Sequence, residues 1–268
     1  MKRISFIGGG KMGEALIKGI LEAKLVSADK IIVSDTVLVR LDYLKKTYGV
    51  VVTENNIEAV KAGEVIILAV KPQVIPRVLA EISQVVDENK LSISIAAGIG
   101  LKTLYSGLGK EARIIRVMPN TPAQIREGMV AISPGEYALP EDVETAKQIF
   151  GAVGEIVIME ERLMDAVTAV SGSGPAYVCL LSEALINGGV KMGLSVKDAT
   201  QLVVQTFLGT AKMILETGKH PAQLKDEVTS PGGTTIAGLS ILEKKGVRGA
   251  LIEAVEAATN RSKELGGE

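Results

Sequence analysis

The chain has 268 residues, 47% of them hydrophobic, and 30 basic against 31 acidic side chains leave a net charge of −1. That length and composition can bury a sizeable core in one large or two modest domains. The charge balance, with no basic tract longer than two residues, argues against a nucleic-acid or membrane-surface partner. A lone Cys179 and a lone His220 exclude a disulfide framework, a zinc site and a Ser-His-Asp triad, so no metal is expected. No run of 18 apolar residues occurs, and Met1-Lys2-Arg3-Ile4 leads straight into a strand pattern. Neither a signal peptide nor a membrane span is therefore expected, and the cytoplasm is the expected compartment.

In chain order, the apolar runs Ile4–Ile7, Ile31–Val33, Val50–Val52, Val65–Val70, Ser92–Ala96 and Ile114–Met118 read as six buried strands. Helical patterns lie between most of them, including Leu38–Tyr43, Val74–Val86 and Leu101–Leu108. Continuous apolar strands alternating with amphipathic helices predict an α/β fold with a parallel sheet covered on both faces. Met129–Ile132 and Glu155–Met159 add two further strands at the far side of the sheet.

The first strand ends in Gly8-Gly9-Gly10-Lys11-Met12-Gly13, which fits G-x-G-x-x-G at Gly8, Gly10 and Gly13. A helix opens there, and Asp35 follows the second strand. In that context the pattern is a dinucleotide-binding fingerprint: one glycine for the turn, one for close approach of a diphosphate, one for helix–strand packing. Asp35 suits a ribose 2′-hydroxyl and thus NAD, whereas Ser34, Thr36 and Arg40 lie close enough to serve a 2′-phosphate, so NAD and NADP both stand. The loops Ala69-Val70-Lys71-Pro72-Gln73, Ala96-Ala97-Gly98 and Met118–Pro122 follow strand ends and should line one crevice. Ala96 and Ala97 leave room for a flat ring. Asn56 suits either a helix cap or a contact on the adenine side, with capping favoured.

After Met159 the chain reads as helices only, at Glu161–Val170, Ala176–Val190, Val196–Thr217, Thr235–Lys245 and Val247–Leu265. The boundary is placed at 160, giving a dinucleotide-binding domain of residues 1–160 and a helical domain of residues 161–268. Several helices are apolar on more than one face, for example at Leu202-Val203-Val204 and Phe207-Leu208, which predicts an obligate homodimer. Ser171-Gly172-Ser173-Gly174-Pro175 reads as a break between two helices. Val228-Thr229-Ser230-Pro231-Gly232-Gly233-Thr234-Thr235-Ile236 reads as a polar turn, with Thr234 or Thr235 capping the next helix. Such a turn aims unpaired N–H groups, hydroxyls and the positive helix end at one spot, which suits a small carboxylate.

These stretches together, Ile7–Gly13, Ala69–Pro72, Asn120-Thr121-Pro122, Ser171–Tyr177 and above all Gln223–Thr235, resemble the pyrroline-5-carboxylate reductases over nearly the whole chain. The resemblance implies an N-terminal Rossmann domain, a C-terminal helical dimerisation domain and larger rings of dimers. It also implies NAD(P)H-dependent reduction of 1-pyrroline-5-carboxylate to L-proline, the last step of proline biosynthesis. It assigns the substrate carboxylate to Ser230, Gly233, Thr234 and Thr235, the Thr235 hydroxyl to the neighbourhood of the ring nitrogen, and Glu161 to the substrate's vicinity. Cofactor contacts carried over are Gly8, Gly9, Gly10, Lys11, Met12, Gly13, Ser34, Asn56, Ala69, Val70, Lys71, Pro72, Ala96 and Ala97, with NADPH or NADH as coenzyme. A protonated cyclic imine is already electrophilic, so the absence of metal ligands fits this chemistry. The rivals are a β-hydroxyacid dehydrogenase, which would need a helix-borne lysine followed by asparagine that the chain lacks, and a non-catalytic NAD(P) sensor, which would need no second anion-binding turn.

Overall fold

The computed structural model describes residues 2–266. Eight strands, β1 Ile4–Ile7, β2 Ile31–Ser34, β3 Val51–Thr53, β4 Val65–Leu68, β5 Leu91–Ser94, β6 Arg113–Met118, β7 Gly128–Pro134 and β8 Gly154–Ile158, form one sheet in the order β3-β2-β1-β4-β5-β6-β7-β8. The helices that accompany them are α1 Lys11–Glu22, α2 Leu38–Tyr48, α3 Asn56–Ala62, α4 Ile75–Ile82, α5 Leu101–Leu108, α6 Pro140–Gly151 and the short α7 Met164–Val167. The remainder is helical: α8 Gly174–Lys191, α9 Val196–Thr217, α10 Pro221–Glu227, α11 Thr234–Lys244 and α12 Val247–Gly266.

Every residue of β1, β2, β4 and β5 is buried, as strands covered on both faces must be. Alternation splits them between two cores: Ile4, Phe6, Val33, Val65 and Ile67 on one face, Ile7, Ile32, Ile66 and Leu68 on the other. The first six strands follow the doubly wound order of dinucleotide-binding sheets. One correction concerns direction: β7 runs antiparallel to β6. Only residues 119–127 separate the two strands, too few for the crossover that a parallel pair requires, whereas α6 supplies such a crossover and makes β8 parallel to β7.

The chain forms two compact units, residues 1–173 with 257–268, and residues 174–256. In the second unit Ala199 and Leu224 are the only buried residues, while Leu202, Val204, Leu208, Met213 and Leu215 stand about half-exposed or more. At roughly 1.5–3 kcal/mol for each large apolar side chain left in water, these helices do not complete a core from their own residues. Glu161–Lys191 is also one helical run long and apolar enough, by length and composition, to cross a membrane, contrary to the expectation from apolar runs alone. The expected break at Ser171–Pro175 is instead a widened turn over Thr168–Gly172, in which the Ser173 N–H donates to the Thr168 carbonyl at 2.8 Å. An i→i−5 bond of this kind absorbs an extra residue without ending the helix.

Candidate active site

Two of the three fingerprint glycines leave no room for a larger residue. Gly8 has φ +103°, and a Cβ there would stand 2.8 Å from the Ala69 carbonyl carbon; one on Gly13 would stand 2.9 Å from the Gly8 oxygen. A Cβ on Gly10 would meet nothing within 4 Å, so the loop is packed behind and open in front. Gly10 caps α1 without a side-chain bond, which leaves the first amides of the helix, from Lys11, Met12 and Gly13, for an anion. Gly8, Gly10, Ser34, Asp35, Asn56, Ala69, Val70 and Lys71 line one cavity of about 370 Å³ together with Thr36, Val37, Val74 and Val78. These residues fit a dinucleotide: a glycine cradle for the diphosphate beside an acid and hydroxyls for a ribose.

The polar groups around the cradle are interlocked. One Asp35 carboxylate oxygen accepts the Gly9 N–H at 2.8 Å and the other accepts the Val37 N–H at 2.9 Å, so this carboxylate shapes the glycine loop. Arg40 holds the next two peptides of the loop, donating from Nε to the Gly9 carbonyl and from Nη2 to the Gly10 carbonyl at 3.4 Å. Glu14 anchors Arg40 and also accepts the hydroxyls of Tyr43 at 2.9 Å and Tyr48 at 2.8 Å. Burial tends to raise the Glu14 pKa, but the bonds from Arg40, Tyr48 and Tyr43 together hold it below the ordinary carboxylate value. Burial and the bond to Glu14 push the Tyr48 hydroxyl up. Asn55, not Asn56, caps α3, accepting the Glu58 N–H at 3.1 Å. Asn56 is thereby released from capping; it accepts the Ser34 hydroxyl at 2.7 Å and donates to Glu81 at 2.8 Å.

Pro72 opens a single 3-10 turn for which Lys71 is the cap. Ala96 and Ala97 lie past the end of β5, outside the cavity lined by Asp35. Asn120 ties the end of β6 in place, accepting the Met129 N–H at 2.9 Å and donating to the Ser171 carbonyl at 3.1 Å. Glu161 accepts the Leu101 N–H at the start of α5 and lies 3.4 Å from Arg116 Nη1.

In the unit of residues 174–256, Ser230–Gly233 makes a hydrogen-bonded reverse turn: the Gly233 N–H donates to the Ser230 carbonyl at 3.1 Å, with Pro231 second and Gly232 third at φ +69°. Proline then positive-φ glycine is the type II pattern. A Cβ on Gly233 would strike Ser230 Oγ at 2.3 Å. Gly233 itself caps α11, with no side-chain bond, so neither Thr234 nor Thr235 is the cap. As first residues of the helix, both threonines keep unpaired amides and hydroxyls free of a capping bond. His220 caps α10, its Nδ1 accepting the Ala222 N–H at 3.2 Å, and Cys179 is exposed. Among the described residues no group of three or more His, Cys, Asp or Glu is placed to hold a metal ion.

Sequence reasoning missed Val37, Val74 and Val78 in the cavity wall, and the pair Arg116–Asp165. Only Arg116 left a local trace, a charge inside the apolar run Ile114–Met118.

A doubly wound sheet with this glycine cradle defines a dinucleotide-binding protein of the Rossmann class. Residues 3–98 match the family model for NADP oxidoreductase, coenzyme F420-dependent, and residues 161–265 match the model for pyrroline-5-carboxylate reductase dimerisation. A pyrroline-5-carboxylate reductase of Synechocystis sp. is 52% identical over 264 residues, covering 98% of each chain. The solved structure of a Coxiella burnetii pyrroline-5-carboxylate reductase is similar, with a TM-score of 0.91 at 38% identity over 98% of each chain. A Plasmodium falciparum pyrroline carboxylate reductase with NADP bound gives 0.91 at 36% identity, covering 99% of this chain and 98% of that one. The chain belongs to the pyrroline-5-carboxylate reductase family.

Proposed function

We propose that this chain reduces the C=N bond of 1-pyrroline-5-carboxylate to L-proline, the last step of proline biosynthesis, with NADPH as coenzyme and NADH as the alternative. The reduced nicotinamide supplies the hydride. The observation that carries the reading is the second anion-binding bend. An uncapped helix start with two hydroxyls, built by Pro231, a positive-φ Gly232 and a Gly233 packed against Ser230, serves no purpose in coenzyme binding by a sheet that already has its own cradle.

Ser230, Gly233, Thr234 and Thr235 hold the acid group of the substrate with amides, hydroxyls and the positive end of α11. Thr235 is the catalytic residue: its hydroxyl hydrogen-bonds the ring nitrogen and orients the iminium carbon. Glu161 is the carboxylate assigned to the substrate's vicinity. Gly8–Gly13, Ser34, Asp35, Asn56, Ala69–Pro72, Ala96 and Ala97 hold the coenzyme. Hydride transfer to a protonated imine needs orientation and exclusion of water more than a strong acid, which amides and hydroxyls provide.

We keep residues 1–160 and 161–268 as the functional division, the second matching the dimerisation model. The homodimer is obligate in this reading, because the apolar faces of residues 174–256 need a second copy rather than a bilayer, and dimers assemble into a larger ring in the cytoplasm. The test is consumption of NADPH by purified protein supplied with pyrroline-5-carboxylate, with NADH in parallel. Proline formation supports the reading; no turnover with either coenzyme overturns it.

A further inference from the structure

The least expected feature of the sheet unit is a charged cluster inside it. Arg116, on β6, is almost fully buried, and its guanidinium lies 3.4 Å from Glu161 and 3.6 Å from Asp165. A buried guanidinium is costly unless it is paired and its hydrogen-bonding groups are met, so two carboxylates on one arginine fix all three side chains. Each carboxylate also reaches a further element. Asp165 accepts the Ser262 hydroxyl of α12 at 2.6 Å. Glu161 accepts the backbone N–H of Leu101, the first residue of α5.

That second bond replaces a missing cap. Gly100 precedes α5 and has no side chain to satisfy the first amides, so Glu161 does so from 60 residues away and adds a negative charge at the positive helix end. The arrangement depends on Gly100, since a Cβ there would stand 3.3 Å from Glu161 Oε1. The other half of the same loop packs closely against α12. Gly98 has φ +73°, with room for a Cβ only 3.2 Å from Leu265, and a Cβ on Gly266 would come 2.8 Å from the Gly98 oxygen. The loop is therefore bonded where it enters α5 by a carboxylate that pairs with Arg116, and at Gly98 it approaches α12 closely.

This loop leaves the carboxyl end of β5. Asp35 puts the ribose side of the coenzyme over β2, on one side of the glycine cradle at β1. The strand order places β4 and β5 on the other side of the cradle, so an extended dinucleotide bound there would bring its reactive ring to the Ala96–Gly100 loop.

We propose that Glu161, backed by Arg116, is a positioning residue that fixes the Ala96–Gly100 loop beneath the reactive ring of the coenzyme, through the Leu101 amide rather than by touching the substrate. The proposal rests on the functional reading above and assigns the carboxylate a different task from a substrate contact. Glu161→Gln keeps an oxygen for the Leu101 N–H, and Arg116 keeps Asp165; Glu161→Ala removes the bond altogether.

The experiment compares the two variants with wild type in steady-state kinetics and in hydrogen exchange of the Leu101 amide. Expected for Glu161→Ala is a kcat about 10- to 100-fold lower, the cost of a misplaced reacting group, with the KM for pyrroline-5-carboxylate changed less than about twofold. The Leu101 amide should lose protection in Glu161→Ala and keep it in Glu161→Gln, which should recover most of the turnover. A rise in substrate KM shared by both variants would overturn the proposal in favour of direct contact, and unchanged Leu101 protection in Glu161→Ala would overturn it outright. The exchange arm needs no turnover, so an inactive wild type would defeat the functional reading while exchange still decided the fate of the clasp.

Discussion

The sheet unit and the helical unit solve opposite problems. The sheet unit closes its own core: β1, β2, β4 and β5 are wholly buried, and two apolar clusters cover the two faces of the sheet. Residues 174–256 bury Ala199 and Leu224 and leave large apolar side chains such as Leu202, Val204, Leu208 and Leu215 exposed. The first kind of region is stabilised by its own chain and can devote its loops to a coenzyme. The second is unfinished as one chain, which fits its match to a dimerisation model. The proposed binding follows the same division: a cradle packed from behind in one unit, an uncapped helix start in the other.

The sharpest way to break the contrast is to charge the unfinished face. Leu202→Asp with Leu208→Asp should convert the dimer to monomer in sedimentation experiments, because an unpaired carboxylate buried at an interface costs several kcal/mol. The same double change should leave NADPH binding to the sheet unit unchanged, as titration would show. Next in size is Thr235→Ala, expected to lower kcat about 100-fold, the usual cost of one donor that acts on the reacting centre. Its NADPH dissociation constant should stay near that of wild type. Gly8→Ala should do the reverse. Positive-φ strain and the clash with Ala69 cost on the order of 1–3 kcal/mol, which corresponds to roughly 5- to 150-fold weaker NADPH binding in a calorimetric titration.

A smaller effect is expected at the clamp behind the cradle. Arg40→Ala frees the Gly9 and Gly10 carbonyls and should weaken NADPH by about tenfold, near the worth of one charge-assisted hydrogen bond. The smallest is a pH effect. Glu14 is held below the ordinary carboxylate value, so its clamp stabilises the fold above pH about 4.3 and is lost as pH falls through the lowered value. Glu14→Gln should therefore reduce thermal stability at neutral pH and narrow its difference from wild type in acid.

The two regions also differ in how much of them could be read from the sequence. Strands of the sheet were legible because a strand buried on both faces is a continuous apolar run, and Val196–Thr217 was legible because its apolar residues recur at helical spacing. The direction of β7 was not, since it depends on the length of a connection. The widened turn at Thr168–Gly172 was not, because small residues that suit a break suit an i→i−5 turn equally. The glycine cradle and the Ser230–Thr235 bend were visible as motifs, each being local in sequence. The roles of Asp35 and Arg40 were visible only as proximity, because their partners are the backbone atoms of Gly9 and Gly10. The Arg116 cluster was out of reach: its carboxylates lie 45 and more residues away, and no local period joins them.

The central claim is that one unit binds the coenzyme and the other binds the acid group, so paired titrations test it most directly. NADPH and L-proline would each be titrated into wild type, Gly8→Ala and Thr235→Ala. The account predicts a crossed result, with Gly8→Ala weakening NADPH alone and Thr235→Ala weakening L-proline alone. If Thr235→Ala weakened NADPH as strongly as Gly8→Ala does, or if wild type bound no L-proline, the division of labour between the two units would be contradicted.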